Sequence, residues 1–389
     1  MTVDAGHCGP RSLYLHIPFC TQRCAYCDFA ISLKGDGLQE RYVQALMDEL
    51  KLLRGGRAMV LDTVYLGGGT PNLLRPQLLE QLLAFVFSEF SLAATPEVTI
   101  EVNPDGITRD LVARWLVLGF NQVSLGVQSL DDASLRWLGR THSASSAVEA
   151  IRNCRRAGLA DLSCDLIYAV PGQDRTSFES SLRRLLQFHP EHVSCYELTV
   201  ERNTPLQREI ARHRREAPSV EAYLRERRLA VELLAQEGLV QYEVSNYART
   251  GFQSQHNLTY WRGQPYLAAG AGAHGFLAAD EGWRLGIDGR GAGLRYWHFR
   301  DAATYIRNVD SGGRGIRAYE WLDESQVELE RLACGLRLSD GVGLRSERQL
   351  ARARELELLG LLEVDGTTVR ATTGGVDILD RLTLELSVA

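Results

Sequence analysis

Six short runs rich in β-branched and aromatic residues are spaced through the first 245 residues, and runs with helical periodicity lie between them. They are residues 13–17 (LYLHI), 61–66 (LDTVYL), 97–102 (EVTIEV), 121–125 (NQVSL), 162–167 (LSCDLI) and 192–197 (HVSCYE). Strands separated by helix-length connections lie parallel, with each crossover helix covering a face of the sheet. An open doubly wound sheet and a βα barrel, whole or partial, both satisfy this pattern, and periodicity does not choose between them. Helix ends are readable: Thr108 precedes Leu111, Val112, Trp115 and Leu118, and Gly119 follows as a C-terminal stop. Thr176 and Glu179 read as a capping box, with His189-Pro190 closing that helix.

The pattern divides the chain into a βα core over 1–245, a Gly- and aromatic-rich connecting segment over 246–300, and a third part over 301–389. The third part reads as helical and then as a hairpin (GLLEVDG, TTVRAT), the order of a small winged-helix-like domain. A net charge of −6, with Lys34 and Lys51 as the only lysines, excludes a generally basic nucleic-acid binder. The Arg-rich stretch from Arg208 to Arg228 is interleaved with Glu209, Glu216, Glu221 and Glu226, which reads as a solvated, ion-paired helix face. No apolar run is long enough to span a bilayer, and the start, with Asp4 and Gly6 before Leu13, has no secretory pattern, so the expected location is the cytoplasm.

Three of the eight cysteines form Cys20-x-x-x-Cys24-x-x-Cys27, directly after the first strand; Cys8, Cys154, Cys164, Cys195 and Cys334 are scattered and read as structural. Three thiolates this close can hold three irons of a [4Fe-4S] cube and leave the fourth open for chemistry. Structural zinc with His16 as a fourth ligand is the competing reading, although such sites usually draw paired ligands from separated segments. Gly67-Gly68-Gly69-Thr70-Pro71 follows the second strand, either as a tight turn or as backbone that approaches a ligand. Glu101 with Asn103-Pro104, Gln128, Arg140 and Asp165 recur on or after later strands, and buried charge there requires a partner, so they point to one polar small molecule at a common mouth.

These residues carry a family resemblance. YLHIPFCTQRCAYCDF, GGGTP, TIEVNP, VSLGVQS, LGRTH, CDLIYAVPGQ, YEVSNYA, HNLTYW and GAGAHG together resemble the radical S-adenosylmethionine (SAM) superfamily, in the branch that holds oxygen-independent coproporphyrinogen oxidases and haem chaperones. The resemblance covers nearly the whole chain and implies a partial, six-stranded (βα)6 barrel. It implies that Cys20, Cys24 and Cys27 hold the [4Fe-4S] cluster, and that SAM binds the open iron and is cleaved by one electron to methionine and a 5′-deoxyadenosyl radical. It also implies Tyr14 and Tyr26 beside the cluster, Gly68, Gly69 and Thr70 at the methionine end of SAM, and Arg140 on its carboxylate. Glu101, Gln128 and Asp165 are implied at its remaining polar edges. A guanidinium suits a carboxylate, and acid and amide side chains suit hydroxyls.

The oxidase pattern has a further cysteine two residues after the third, where this chain has Phe29, and only about a dozen residues precede the cluster strand, fewer than in the oxidase arm. His256-Asn257-Leu258-Thr259-Tyr260-Trp261 fits the HNxxYW pattern that the resemblance associates with haem, His256 being the implied ligand. Without the resemblance His256 and Asn257 read as ties across the barrel mouth, and His274 in GAGAHG and Cys195 are the next ligand candidates. The expected protein therefore binds haem and passes it to apo-haemoproteins, with a reducing electron donor and with peripheral membrane association only through the recipient. A SAM-radical reaction on a tetrapyrrole is the enzymatic alternative, and a zinc-stabilised interaction protein the non-catalytic one.

Overall fold

A computed structural model describes residues 9–33, 37–173 and 176–388. All six expected strands form: β1 Ser12–Ile17, β2 Val60–Gly68, β3 Ser91–Val102, β4 Gln122–Gln128, β5 Asp161–Tyr168 and β6 His192–Glu197. They are parallel, and each pairs with the next in sequence order. That order settles the architecture. A doubly wound sheet reverses direction at a switch point, whereas an uninterrupted 1-2-3-4-5-6 order is the winding of a barrel.

The sheet is larger than six strands, because the following segment adds to both edges. β7 (Val240–Gln241) and β8 (Asn246–Ala248) extend it antiparallel beyond β6, and β9 (Leu267–Ala269) pairs parallel with β1. β7 and β9, at the two ends of the order, do not pair with each other, so the barrel is partial. Two- and three-residue strands carry too little periodicity to be read from sequence.

Leu13, Leu15 and Ile17 of β1 are fully buried, as are Val64 and Leu66 of β2. The interstrand helices cover their outer face through Tyr42, Leu46 and Leu50, then Leu82, Leu83 and Val86, then Val112 and Trp115. Thr108 caps the helix Arg109–Leu118 by accepting from the Leu111 amide, and Gly119 ends it at φ 102°, as expected. Thr176 differs: it precedes the helix Ser177–Leu186 with helical backbone (φ −97°, ψ −8°) and no side-chain cap bond, so the predicted capping box does not form.

The expectation of helix from residue 301 is also corrected. After the helix Ala302–Asp310, Ile316–Leu322 forms a strand that joins Gly293–His298, which in turn pairs with His274–Ala278. These three, numbered in chain order β10 (His274–Ala278), β11 (Gly293–His298) and β12 (Ile316–Leu322), make an antiparallel sheet across the 300/301 boundary. Beyond it lie the helix Glu324–Gly335, β13 (Val342–Gly343), the helix Glu347–Leu358, and the hairpin of β14 (Leu362–Asp365) and β15 (Thr368–Ala371), followed by the helix Leu379–Ser387. This winged-helix-like part packs around its own core of Leu332, Leu336, Ala353, Leu356, Val369, Leu382 and Leu386.

Cys154, Cys164 and Cys195 are buried and Cys334 is half-buried, all as free thiols; Asp4, Gly6, Cys8 and Lys34 lie outside the described residues. In the Arg-rich stretch Arg215 pairs with Glu209 at 2.7 Å and Arg225 with Glu226 at 2.9 Å, whereas Arg208, Arg212, Arg214 and Arg228 have no carboxylate partner among the described residues. Arg227 departs from the solvated reading: it is buried and bonds Asp377 of the winged-helix-like part at 2.8 Å. Among the described residues, no helix is long and apolar enough to cross a membrane.

Candidate functional site

The carboxyl ends of the parallel strands open into a cavity of about 830 Å³. Every site residue expected from the sequence lines it: Tyr14, Cys20, Cys24, Tyr26, Cys27, Gly68, Gly69, Thr70, Glu101, Gln128, Arg140, Asp165 and His256.

The cysteine loop leaves β1 at Pro18 and returns at Ser32, where its neck is closed by Ser32 N–H to Pro18 O (2.7 Å) and Cys20 N–H to Ser32 O (3.1 Å). Its middle is held from outside, by Ala25 N–H to Leu138 O (3.3 Å) and Leu206 N–H to Ala25 O (2.8 Å). Cys20 Sγ lies 3.6 Å from Thr70 Oγ1, and Arg140 Nη1 donates to Cys24 Sγ at 3.5 Å. Burial raises the Cys20 thiol and pushes Cys27 up to about 11, so both are neutral until a metal displaces the proton. His16 is unsuited to a fourth zinc position: Nδ1 bonds Tyr14 OH (3.0 Å) and Nε2 bonds Ala30 O (2.8 Å). Among the described residues, no three His, Cys, Asp or Glu side chains gather about a single ion position.

The glycine run is required by packing. Gly68 adopts φ 107°, and a Cβ there would fall 2.4 Å from His16 Cε1; one at Gly69 would fall 2.7 Å from the Pro18 carbonyl carbon. The turn can thus lie against the base of the cysteine loop, with Gly69 N–H bonded to Ile17 O at 2.8 Å. Glu101 Oε2 accepts from Gly68 N–H (2.9 Å) and Oε1 from Tyr65 OH (2.7 Å). Burial outweighs these two bonds and, with Asp165 nearby, pushes Glu101 up to about 7. Asp165, which accepts from Ser124 Oγ at 3.2 Å, is pushed by burial up to about 6.

Gln128 ends β4 at φ 62°, after a register shift that follows Leu125. A bulge at a strand end re-aims a side chain, and a non-glycine residue in this backbone region is a strain of the kind that gathers at functional sites. Its buried Oε1 has no hydrogen-bond partner, and neither has the buried Arg140 Nε. Arg140 Nη2 donates to Asn103 Oδ1 and to Gly126 O (3.3 Å). Burial disfavours its charge, but Tyr26 and Cys24 beside it more than compensate. Three thiols beside a fixed cation, a turn with exposed backbone, and two orphaned polar groups fit an anionic cluster together with a small carboxylate-bearing ligand.

His256 has a different setting from that of a free ligand. It is 1% exposed, Nδ1 bonds Thr63 Oγ1 (2.6 Å), Nε2 bonds Tyr260 OH (2.7 Å), and its ring stacks on Tyr65 with centroids 4.9 Å apart. Burial depresses its pKa to about 3, keeping it neutral. A haem iron would have to displace Thr63 or Tyr260 to reach a ring nitrogen. The geometry makes His256 a brace between β2 and the helix Gln255–Trp261, whose start is also held by Glu97 through the amides of Gln255 (2.7 Å) and His256 (2.9 Å). The sequence reading missed Tyr65, which orients Glu101; Asn103, singled out beside Glu101, links Arg140 to Thr70 Oγ1 (2.9 Å). Tyr65 lies two residues before Gly67 and so shares its strand face, a signal present in the sequence.

This cavity and winding define a radical SAM core, and residues 14–185 match the family model of the Radical SAM superfamily. A haem chaperone HemW of Mycobacterium tuberculosis is 33% identical over 372 residues, 94% of this chain and 92% of that protein. The mitochondrial radical S-adenosyl methionine domain-containing protein 1 of Mus musculus is 34% identical over 392 residues, 96% of this chain and 87% of that protein. Among solved structures, coproporphyrinogen III oxidase (HemN) of Escherichia coli superposes with a TM-score of 0.80 at 20% identity, covering 97% of this chain and 90% of that one, a likeness of fold. The chain belongs to the radical SAM superfamily, in the HemN-like branch and close to HemW. Its cofactors are accordingly a [4Fe-4S] cluster and SAM.

Proposed function

We propose that this protein is a haem chaperone, binding haem and passing it to apo-haemoproteins. The observation that carries the reading is similarity to HemW proteins, in one case over more than nine-tenths of both chains. Phe29 supports it: where the oxidase pattern has a cysteine, this chain has a phenyl ring 52% exposed on the cavity lining, an apolar surface suited to a porphyrin and unable to ligate iron.

Within that function Cys20, Cys24 and Cys27 hold the cluster, and Arg140 offsets its charge through Cys24. Gly68, Gly69 and Thr70 present backbone and hydroxyl to the methionine end of SAM, with Tyr14 and Tyr26 packed beside it. Arg140 Nε and Gln128 Oε1 supply unpartnered polar atoms, and Glu101 and Asp165 accept from the ligand's donors. When bound, the cluster and SAM supply one-electron reductive chemistry, for which a reducing donor is needed. The protein works in the cytoplasm and meets membranes only through a membrane-bound recipient.

The test is a haem titration of the anaerobically reconstituted protein followed by mixing with an apo-haemoprotein. Stoichiometric uptake and transfer, with no decarboxylation of coproporphyrinogen in the presence of reductant and SAM, is the expected result; protoporphyrinogen formation would establish the enzymatic alternative instead.

A further inference from the structure

Four histidines line the cavity: His16, His192, His256 and His274. The first three are buried, and each spends both ring nitrogens on protein hydrogen bonds, His192 on Ser163 Oγ (2.7 Å) and Tyr242 OH (2.9 Å). His274 is exposed, and among the described residues its ring makes no hydrogen bond. It opens β10 directly opposite Trp297 of β11, and its ring lies nearly parallel to the indole (19°, centroids 6.2 Å apart). Burial and the neighbouring His298 and Arg300 depress its pKa, which favours the neutral imidazole that binds metals.

The loop that presents it is fixed from beneath. Gly270 N–H donates to Glu49 Oε2 (3.1 Å), Ala271 N–H to Tyr42 OH (2.8 Å) and Gly272 N–H to Phe299 O (2.9 Å). Ala273 O accepts both the amide (3.0 Å) and Nδ1 (2.8 Å) of His298. Nε2 of that histidine bonds Glu49 Oε1 at 2.6 Å, and Tyr305 OH bonds Oε2 at 2.6 Å. Glu49 and the His298 side chain are wholly buried, so this is a rigid polar bracket under an exposed imidazole. Arg300 lines the same stretch of cavity and donates to the Asp28 carbonyl; among the described residues it has no carboxylate partner. Phe29 follows Asp28.

An uncommitted imidazole, an unpaired guanidinium and an exposed phenyl ring on one rim match the three recognition needs of haem: an axial ligand, a cation for a propionate and apolar cover for the ring. Resting on the haem-carrier reading above, we propose that His274, rather than His256, is the protein ligand to the haem iron, with Arg300 pairing a propionate.

The experiment compares haem titrations of wild type, His274→Ala and His274→Met, with thermal unfolding as the fold control. His274 is exposed, so both variants retain the wild-type transition. In His274→Ala the imidazole-ligated Soret signature is lost and added imidazole restores it; in His274→Met the spectrum shifts to a thioether-ligated form. A wild-type spectrum and affinity in His274→Ala would overturn this assignment while leaving haem carriage intact. Absence of haem binding by the wild type would overturn the carrier reading itself, and this one with it.

Discussion

With Glu101 and Asp165 assigned to the ligand as proposed, binding should be a proton-release reaction. Both carboxyls are held above their usual range by burial, Glu101 at about 7 and Asp165 at about 6. SAM brings a sulfonium cation and hydroxyl donors, each of which favours the ionised carboxylate, so binding lowers both pKa values and expels the protons they carry. At pH 6, Glu101 is about 0.9 protonated and Asp165 about 0.5; at pH 8 the two together hold about 0.1 of a proton. Calorimetry of SAM binding in buffers of different ionisation enthalpy reads the release directly. The difference between wild type and Glu101→Gln isolates Glu101 from any proton the ligand gives up: about 0.9 at pH 6, falling to about 0.1 at pH 8. Equal release in the two proteins at pH 6 would refute the assignment of Glu101 to the ligand. The same shift appears in stability. Raised in the folded state, Glu101 stabilises the ligand-free protein fully below its unfolded value near 4.5, and this contribution, about 3 kcal/mol, is lost as pH rises through about 7.

Other perturbations have equally definite outcomes. Glu49→Ala strips partners from His298, Tyr305 and the Gly270 amide in a site without water access, and should cost about 3–5 kcal/mol in denaturant unfolding; a loss under about 1 kcal/mol would show that the bracket contributes little. Cys24→Ser should abolish the brown colour and iron content of anaerobic material while the far-ultraviolet dichroism of the barrel persists, because Cys24 is not part of the strand-and-helix core. Arg140→Ala should weaken SAM binding by about 1.5–3 kcal/mol, the worth of a hydrogen bond to a charged group; unchanged affinity in that variant would remove Arg140 from the ligand.

The parallel strands and the site were legible in the sequence because both depend on local signals. A strand, a turn and a helix announce themselves within about 30 residues, and Cys20, Gly68, Glu101, Gln128 and Asp165 all sit on or just after such strands. What was illegible depends on partners far along the chain. β8 and β9 are three residues each, and what marks them as strands is their pairing with the edges of β6 and β1. β12 was hidden because its pairing with β11 spans the intervening helix Ala302–Asp310, so no tight turn joins the two strands in the sequence. Nothing near His256 reveals that Thr63, 193 residues earlier, occupies its Nδ1. Similarly, nothing within GAGAHG signals that Glu49 and Tyr42, far before it in sequence, and His298, beyond it, pack beneath it and make it a fixed support.

Haem transfer under anaerobic conditions tests the central claim most directly. The reconstituted protein, loaded with one equivalent of haem and mixed with a spectrally distinct apo-haemoprotein, should lose its own Soret band as the holo-acceptor's band appears, and should leave coproporphyrinogen unchanged when reductant and SAM are supplied. Protein that takes up no haem, or that converts coproporphyrinogen to protoporphyrinogen, would contradict the account.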